Sequence, residues 1–302
     1  GRNKNKIDKL ARGEKEMVLS SGWAGSQLLN SDDYRAYVGG TTGLIYGFVN
    51  DGFYTVDDFK PFDSKSRTWT LKDGVVNSSP LSGDPRPGNA KFKKLTPVDE
   101  NSANPYTLTD DDRTVIGNTT PKFSGGFGLN ATFKGFDVSA FFNFMYDFDV
   151  FNANKVMMTT WASNNYNNFS MDISAAKRWR NFDDMGNEIR YSPEILAEFN
   201  KNATMWNPTS IGRPIAMSYA VEDGSFLRLN TATIGYTLPR AWTNKVGLSR
   251  VRFYASGYNL FTITGYSGYD PEVDIATGLT PNIDNNRYPR SRTYTFGVQL
   301  TF

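Results

Sequence analysis

Residues 293–302 alternate without interruption between apolar and small polar side chains. Tyr294, Phe296, Val298, Leu300 and Phe302 occupy every second position, with threonine, glycine or glutamine between them. Because successive side chains of a strand point to opposite faces, this pattern predicts a strand with one apolar and one polar face. About ten residues also suffice to cross a bilayer when a strand is tilted. A strand of a soluble sandwich has the same pattern, so this segment alone leaves both folds open.

Four further segments alternate in the same way and predict strands. Residues 123–133 and 136–146 are separated only by Lys134 and Gly135, and such a short glycine-containing link is typical of a β-hairpin. A third strand is predicted over about residues 226–238, where the apolar phase shifts between Leu229 and Ile234 and indicates a bulge. The fourth is predicted over about residues 250–263.

The predicted connections alternate between short and long, which is the layout of an outer-membrane barrel with periplasmic turns and extracellular loops. Residues 239–249 form a short connection, whereas residues 147–225 and 264–292 form long ones. Residues 1–120 are predicted to hold the end of a barrel strand and a large extracellular loop region. Residues 121–302 are predicted to hold barrel strands with two long extracellular loops. Within the loops, Pro193 after Ser192 predicts a helix to about Asn200, and residues 172–179 predict another.

Composition narrows the possible functions. No run approaches eighteen apolar residues and the mean hydropathy is -0.49, which excludes a bundle of membrane helices but not a barrel. The chain has neither cysteine nor histidine, so disulfides, thiolate metal sites and Ser-His or Cys-His catalysis are excluded. A net charge of +2 gives no field that favours nucleic acid. We therefore predict no enzymatic activity, cofactor, metal or nucleic-acid partner.

Five strands cannot close a membrane barrel, since the smallest have about eight. Open sheet edges in hydrocarbon leave backbone groups unsatisfied at a cost of several kcal/mol each. The chain is therefore predicted to be one part of a larger barrel, with the other strands located upstream or supplied by another chain.

Several segments resemble motifs of the SusC/RagA family of TonB-dependent outer-membrane transporters. Each motif is short, but six of them in order over nearly the whole chain make a specific signal. Phe302 is also similar to the C-terminal aromatic residue of outer-membrane barrels. The matching segments are VGGTTGLIYGFVNDGFY at 38–54, DDRTVIGN at 111–118 with PKF at 121–123, FLRL at 226–229, GYTLP at 235–239, NLFT at 259–262 and YDPE at 269–272.

The resemblance implies an all-β fold, the C-terminal strands of a barrel of the 22-stranded class with an N-terminal plug. It implies uptake of oligosaccharides or peptides across the bacterial outer membrane. The implied partners are a SusD-like surface lipoprotein, the remainder of the barrel and plug, the TonB complex and the lipid bilayer.

One element of the family pattern is missing. Many members carry an acidic Asp-x-Asn-x-Asp-Gly stretch, similar to a calcium loop, before the Asp-Asp-Arg motif. Here residues 91–97 read KFKKLTP and offer no such cluster of oxygen ligands. Asp110, Asp111 and Asp112 remain, and we interpret them as solvated carboxylates on an exposed turn.

The predicted substrate-binding residues are Trp161, Asn164, Asn165 and Tyr166, which combine aromatic and amide groups in the longest loop. Sugars stack on aromatic rings while amides take their hydroxyls. Asp270 and Glu272 resemble a glycosidase acid pair, but the Asp270-Pro271 step favours a turn and nothing else supports catalysis.

The strand aromatics are interpreted as lipid-facing surface and interfacial girdle rather than as a ligand platform. The set includes Phe141, Phe142, Phe144, Tyr146, Tyr254, Tyr258 and Phe302. Gly125, Gly126 and Gly128 lie within a predicted strand and are interpreted as packing positions rather than as a phosphate loop.

Two alternatives stay open at this point. A soluble β-sandwich that binds glycans would place polar residues on the outer face of most strands. An outer-membrane barrel enzyme would need a paired nucleophile and base, for which the chain shows no candidate.

Overall fold

The computed structural model describes residues 1–30, 32–160, 169–273 and 278–302, and antiparallel strands dominate its fold. Among the described residues, no helix has the length and apolar character needed to cross a membrane. The strands are β1 Glu16–Leu19, β2 Tyr34–Tyr37, β3 Leu44–Gly47, β4 Asn50–Phe53, β5 Ala90–Phe92, β6 Thr114–Asn118, β7 Phe123–Phe133, β8 Phe136–Tyr146, β9 Asp149–Asn152, β10 Val221–Asp223, β11 Phe226–Thr237, β12 Arg250–Thr264, β13 Ile283–Asp284 and β14 Thr293–Thr301. The α-helices are α1 Ser79–Ser82, α2 Ala153–Met157, α3 Pro193–Phe199 and α4 Arg240–Thr243, and short 3-10 turns lie at Ala11–Gly13, Gly25–Gln27, Val56–Asp58, Asp110–Asp112, Met171–Ile173, Pro208–Ser210, Ser218–Ala220 and Asn244–Val246.

The five long strands form one antiparallel sheet in the order β7, β8, β11, β12, β14. Phe133 pairs with Phe136 across Lys134 and Gly135, whose φ angles of 47° and 88° are those of a tight hairpin turn. The pairing of β11 with both neighbours shifts between Leu229 and Thr231. The five predicted strands, the two-residue turn and the bulge are therefore confirmed.

One face of this sheet is apolar and uncovered. Phe127 stacks on Phe142 with ring centroids 5.0 Å apart, and Phe136 packs on Tyr236 in the neighbouring strand. Leu129 is 60% exposed and Phe296 is 80% exposed. An apolar patch of this extent belongs against a lipid or a partner rather than against water. No second sheet of the described chain covers it, which argues against the sandwich.

The opposite face is polar and carries ion pairs between strands. Arg252 Nε donates to Asp137 Oδ1 at 2.9 Å, and the two side chains also pair through Nη2 and Oδ2. A Cβ at Gly235 would lie 2.4 Å from Arg252 Nη2, so glycine in the intervening strand leaves room for this pair. Thr233 and Ser256 share a hydroxyl hydrogen bond of 2.8 Å on the same face.

Three aromatic residues lie on this polar face, so the lipid-facing interpretation was wrong for Phe141, Tyr254 and Tyr258. Tyr258 pairs with Thr293 in the polar row. Phe141 packs over Gly126, and Tyr254 packs over Gly297, where a Cβ would lie 2.4 Å from its ring. The missing side chains make room for the rings, so the interpretation as a packing position is confirmed for Gly126, and for Gly125, where a Cβ would lie 3.2 Å from the Phe144 ring, but not for Gly128.

Gly126 and Gly128 provide a matched test of this packing. We expect Gly126→Ala to destabilise the barrel by about 1–3 kcal/mol, because crowding of this kind has that cost. Its Cβ would lie 2.8 Å from the Phe141 ring and 2.9 Å from the Phe142 carbonyl oxygen. At Gly128 the contacts would be 3.7 Å or longer, so Gly128→Ala serves as the control. Urea midpoints of the full-length protein in detergent measure the effect, and equal midpoints for the two variants would contradict it.

The long connections do not spread over the sheet as separate loops. The described residues of 1–120, 147–225 and 264–292, here called the loop layer, share one buried core. Two small sheets, β1-β2-β3-β6 and β10-β9-β13, frame this core. The core draws Tyr34, Phe48 and Phe92 from the first stretch, Phe151, Trp206 and Met217 from the second, and Ile283 from the third. Burial of about 1.5–3 kcal/mol per large apolar side chain stabilises the loop layer as one unit.

Of the two predicted loop helices, the one after Ser192 is confirmed as α3. Leu196 N donates to Ser192 O at 2.8 Å, although the Ser192 side chain makes no capping bond. The helix predicted over residues 172–179 was wrong, because only the 3-10 turn Met171–Ile173 forms. Trp179 N donates instead to Met205 O at 2.8 Å, so the backbone there pairs with another segment.

The outer edge of β7 is paired at one end only. Gly1 and Ser124 exchange backbone hydrogen bonds, at 2.6 Å from the Gly1 ammonium and 3.0 Å from Ser124 N, and Arg2 forms a bridge with Phe123. The five-stranded sheet is open within the described chain, as expected for part of a larger barrel.

Candidate functional site

A cavity of about 610 Å³ lies between α2 and the segment that follows β12. Ligand pockets in proteins have volumes of roughly 300–1,000 Å³, so this one can hold several sugar rings or a short peptide. We call it the tyrosine pocket, after its most exposed side chains. Its lining includes Asn154, Lys155, Met158, Ser267, Tyr269 and Tyr288.

Glu222 fixes one wall of the tyrosine pocket. It accepts hydrogen bonds from Ser267 N at 2.9 Å and Ser267 Oγ at 2.8 Å, and it pairs with Lys155 Nζ at 3.2 Å. Burial raises the pKa of this carboxyl, but the Ser267 bonds and the Lys155 ammonium outweigh burial, so its pKa is lowered. Lys155 also lies 4.4 Å from the centre of the Tyr219 ring. Glu222 therefore stays ionised and ties α2 to the residues after β12.

Asp284 makes a second connection between α2 and the residues after β12. Tyr266 Oη donates to Asp284 Oδ2 at 2.7 Å, and Asn154 Nδ2 donates to Asp284 Oδ1 at 3.1 Å. Asn286 N in turn donates to Asn154 Oδ1 at 2.9 Å. Burial, and then the adjacent Asp284, raise the pKa of the Tyr266 phenol, which stays a neutral donor. Fully satisfied buried polar groups of this kind hold the walls in one geometry.

Two tyrosine rings line the cavity among mostly polar side chains. Tyr269 is 84% exposed and Tyr288 is 92% exposed, and both line the tyrosine pocket. Exposed tyrosine rings on a rigid polar frame offer flat apolar surfaces with a hydroxyl at the rim. This arrangement can bind sugar rings or peptide side chains.

A buried ion network holds the segment that carries Tyr269. Arg228 of β11 is 2% exposed and lies on the polar face, where it pairs in register with Asn143. Its guanidinium donates to Asp270 Oδ1 at 2.5 Å and lies 3.6 Å from Glu272 Oε2. Arg290 Nη2 lies 2.8 Å from Glu272 Oε1. Both carboxylates that resembled an acid pair are thus buried ion-pair partners.

Asp112 is also buried, so its interpretation as a solvated carboxylate was wrong. It accepts hydrogen bonds from Leu95 N at 2.9 Å, Thr96 N at 2.8 Å and Thr109 N at 2.8 Å. Lys94 Nζ lies 3.3 Å away, and the Lys94 side chain is only 9% exposed. Burial opposes ionisation, but the backbone bonds outweigh it and hold the pKa of Asp112 at about 2. Asp112 and Lys94 thereby fasten residues 94–96 to the 3-10 turn Asp110–Asp112.

The predicted substrate residues Trp161, Asn164, Asn165 and Tyr166 lie outside the described residues. Met158 and Ser170, on either side of that stretch, line the tyrosine pocket and share a backbone hydrogen bond of 2.9 Å. Tyr269 and Tyr288 were not predicted from the sequence as candidate binding residues, although both line the pocket. Tyr269 adjoins the Asp-Pro turn and Tyr288 precedes Pro289, and an aromatic residue beside a turn was the available signal. Among the described residues no group of three acidic, histidine or cysteine side chains is placed to hold a metal ion.

Comparison with known proteins identifies relatives over the whole chain. The chain is 30% identical over 307 residues to the TonB-dependent receptor P3 of Formosa agariphila, covering 100% of this chain and 26% of the receptor. It is 32% identical over 164 residues to the TonB-dependent receptor SusC of Bacteroides thetaiotaomicron, covering 50% of this chain and 15% of the receptor. The matched residues therefore span about a quarter of the first relative and less of the second. No protein-family model matches.

Solved structures support the fold. A chain of the RagAB peptide importer in its open-open state superimposes with a TM-score of 0.62 at 21% identity, covering 100% of this chain and 26% of that chain. The closed-closed state of the same importer gives a TM-score of 0.59 at 22% identity. Both likenesses concern the fold alone.

A one-sided antiparallel sheet joined to a folded loop layer, with these relatives, defines a segment of a TonB-dependent outer-membrane barrel. Within that class the chain belongs to the SusC/RagA family, as its motifs predicted. The relatives are named as receptors and importers rather than enzymes, which agrees with the prediction that the chain is not an enzyme.

Proposed function

We propose that this chain is part of an importer of the bacterial outer membrane that takes up oligosaccharides or peptides. The observation that carries the proposal is the division of the sheet into two faces. The apolar face is exposed along all five strands, as a lipid-facing surface requires, and the polar face is joined to the loop layer through the ion pairs of Arg228 with Asp270 and Glu272. In the proposed orientation the loop layer is extracellular.

The proposed partners follow from the same family membership. They are a SusD-like lipoprotein on the extracellular side, the plug and the remaining strands, and a TonB complex that supplies energy. The open sheet edges at β7 and β14 support the need for further strands, because unpaired backbone in hydrocarbon is costly.

Native mass spectrometry of the particle extracted in detergent tests this proposal. We expect a mass well above the 33.8 kDa of this chain, with the rest of the barrel and a lipid-modified partner. A water-soluble 33.8 kDa species that needs no detergent would contradict it.

The tyrosine pocket is the proposed contact for the cargo, and its two exposed rings can be tested together. We expect the double variant Tyr269→Ala, Tyr288→Ala to bind cargo about tenfold more weakly, because an aromatic contact contributes on the order of 0.5–1.5 kcal/mol beyond its buried area. Isothermal titration of the full-length protein with oligosaccharides and peptides measures the change. Tyr294→Ala, on the apolar face, is the control. If the double variant bound the cargo as tightly as the Tyr294→Ala control, the tyrosine pocket would not be part of the binding site.

Trp161, Asn164, Asn165 and Tyr166 stay a proposal as further cargo contacts. The position of Met158 and Ser170 in the lining of the tyrosine pocket supports it. Binding by a Trp161→Ala, Asn164→Ala variant that matched the parent protein would exclude these two residues.

A further inference from the structure

A second, larger cavity of about 780 Å³ lies in the loop layer and shares no lining residue with the tyrosine pocket. Among the described residues, four arginines and one carboxylate, that of Asp84, line it. The whole chain carries a net charge of only +2, so this is a local concentration of positive charge. We call it the arginine pocket. Its lining includes Arg67, Trp69, Arg86, Arg190, Tyr191 and Arg213.

Two of the four arginines make contacts that stabilise the loop layer. Arg213 donates to the backbone oxygens of Ser26 and Gln27 at 3.1 and 3.2 Å, which joins two stretches of the loop layer. Arg190 Nε lies 2.5 Å from Glu188 Oε1, so its charge has an acidic partner.

Arg67 and Arg86 have no such partner. Both are exposed, and neither lies within ion-pair distance of a carboxylate in the described chain. The guanidinium of Arg67 lies 5.2 Å from the centre of the Tyr191 ring, and that of Arg190 lies 5.8 Å from the same centre. Glu188 balances the charge of Arg190, whereas the charges of Arg67 and Arg86 have no carboxylate beside them among the described residues and attract an anion. The pocket therefore favours a negatively charged occupant.

The other lining residues indicate the chemical class of that ligand. Pro80, Pro85 and Pro87 stiffen one side, because proline fixes its φ angle. Asn181 and Thr209 add amide and hydroxyl groups. Tyr191 is already covered by Phe62, whose ring centre lies 6.0 Å away. Both aromatic residues of the lining, Trp69 and Tyr191, already pack on Phe62, so the polar groups of the wall are its main binding groups, and they suit a hydroxylated ligand better than an apolar peptide side chain.

We propose that the arginine pocket binds an acidic oligosaccharide, with Arg67 and Arg86 as the groups that take its carboxylate or sulfate. A guanidinium presents two parallel N–H donors that match the oxygens of either anion. The proposal names a substrate class for the proposed importer. It depends on the import function only for the biological role of the binding. Binding at the pocket is measurable without transport.

The test is isothermal titration of the full-length protein in detergent with three probes of similar length: tetragalacturonate, neutral maltotetraose and tetraglutamate. We expect tetragalacturonate to bind most tightly and to weaken as salt is raised. The variant Arg67→Gln, Arg86→Gln should bind it roughly tenfold or more weakly, as expected for lost charge-assisted hydrogen bonds. The variant Arg67→Lys, Arg86→Lys should bind it with an intermediate affinity, because the charge stays and the paired donors are lost.

The matched control is Arg240→Gln, Lys245→Gln, which removes two positive charges from exposed positions in and after α4. It should leave all three affinities unchanged. Equal binding of tetragalacturonate by the glutamine variant and the parent protein would overturn the proposal. Binding of tetraglutamate as tight as that of tetragalacturonate would overturn the assignment to oligosaccharides. Either result would leave the import function standing, because native mass spectrometry tests that function separately.

Discussion

Arg228→Met is expected to destabilise the protein by about 3–5 kcal/mol and to loosen the segment that carries the tyrosine pocket. The substitution removes the guanidinium and leaves Asp270 and Glu272, both less than 10% exposed, as buried carboxylates that have lost a cation. Removing one partner of a buried ion pair has a cost of this size, since the remaining charge is not solvated. Hydrogen–deuterium exchange of the full-length protein in detergent measures it, in the peptides that contain Tyr269 and Tyr288.

Two further variants separate the ion network from a general loss of packing. Arg240→Met, at an exposed position in α4, should leave exchange unchanged. The triple variant Arg228→Met, Asp270→Asn, Glu272→Gln should recover much of the lost stability, because it replaces the buried charges by neutral groups of similar size. Exchange in Arg228→Met equal to that of the parent protein would show that the network does not hold this segment.

The sheet could be predicted from the sequence because its signal is local. The alternation in residues 293–302 and the two-residue link at Lys134 and Gly135 each depend on neighbours within one strand or turn. The phase shift between Leu229 and Thr231 could also be found, since a bulge moves apolar residues to the other parity. The faces of Phe141 and Tyr254 were local information too, since each lies at the parity opposite to the apolar row, but the glycine of the neighbouring strand over which each ring packs could not be predicted.

The loop layer could not be predicted because its core is assembled from three distant stretches. Its strands are short, such as Leu44–Gly47 and Asp149–Asn152, and too few residues alternate to give a pattern. Phe151 in the second stretch shares the core with Tyr34 in the first and Ile283 in the third. These contacts are set by chain topology, which local propensity does not contain.

The candidate site, too, could be predicted from the sequence only in part. Arg228 and Asp270 lie in the FLRL and YDPE motifs, but the ion pair between them joins residues 42 positions apart and could not be found from either motif. Tyr288 lies in no periodic segment, and only the fold places it at the tyrosine pocket. The three aspartates 110–112 look alike in sequence. Only the fold distinguishes Asp112, whose carboxylate caps the turn that begins after Thr109.

This difference between adjacent aspartates leads to a large expected effect. Asp112→Ala should destabilise the protein by about 3–5 kcal/mol, because it leaves the nearly buried Lys94 ammonium without its counter-ion and part-buried donors at Leu95, Thr96 and Thr109 without an acceptor. Asp111→Ala, one residue away and exposed, should change stability by less than about 0.5 kcal/mol. Urea unfolding of the full-length protein at pH 7 compares the two variants, and equal midpoints would contradict the role assigned to Asp112.

The pH dependence gives an independent measure of the same carboxylate. The pKa of Asp112 is about 2 in the folded protein, below its usual 3.8, so its ionised form stabilises the fold above about pH 4. That contribution is lost as the pH falls from about 4 through 2, and a shift of this size corresponds to about 2 kcal/mol. Asp112→Ala lacks the group, so its stability should fall less steeply over this range than that of Asp111→Ala. Parallel stability curves for the two variants would mean that other carboxylates govern acid unfolding of the loop layer and that Asp112 ionises as an ordinary surface group.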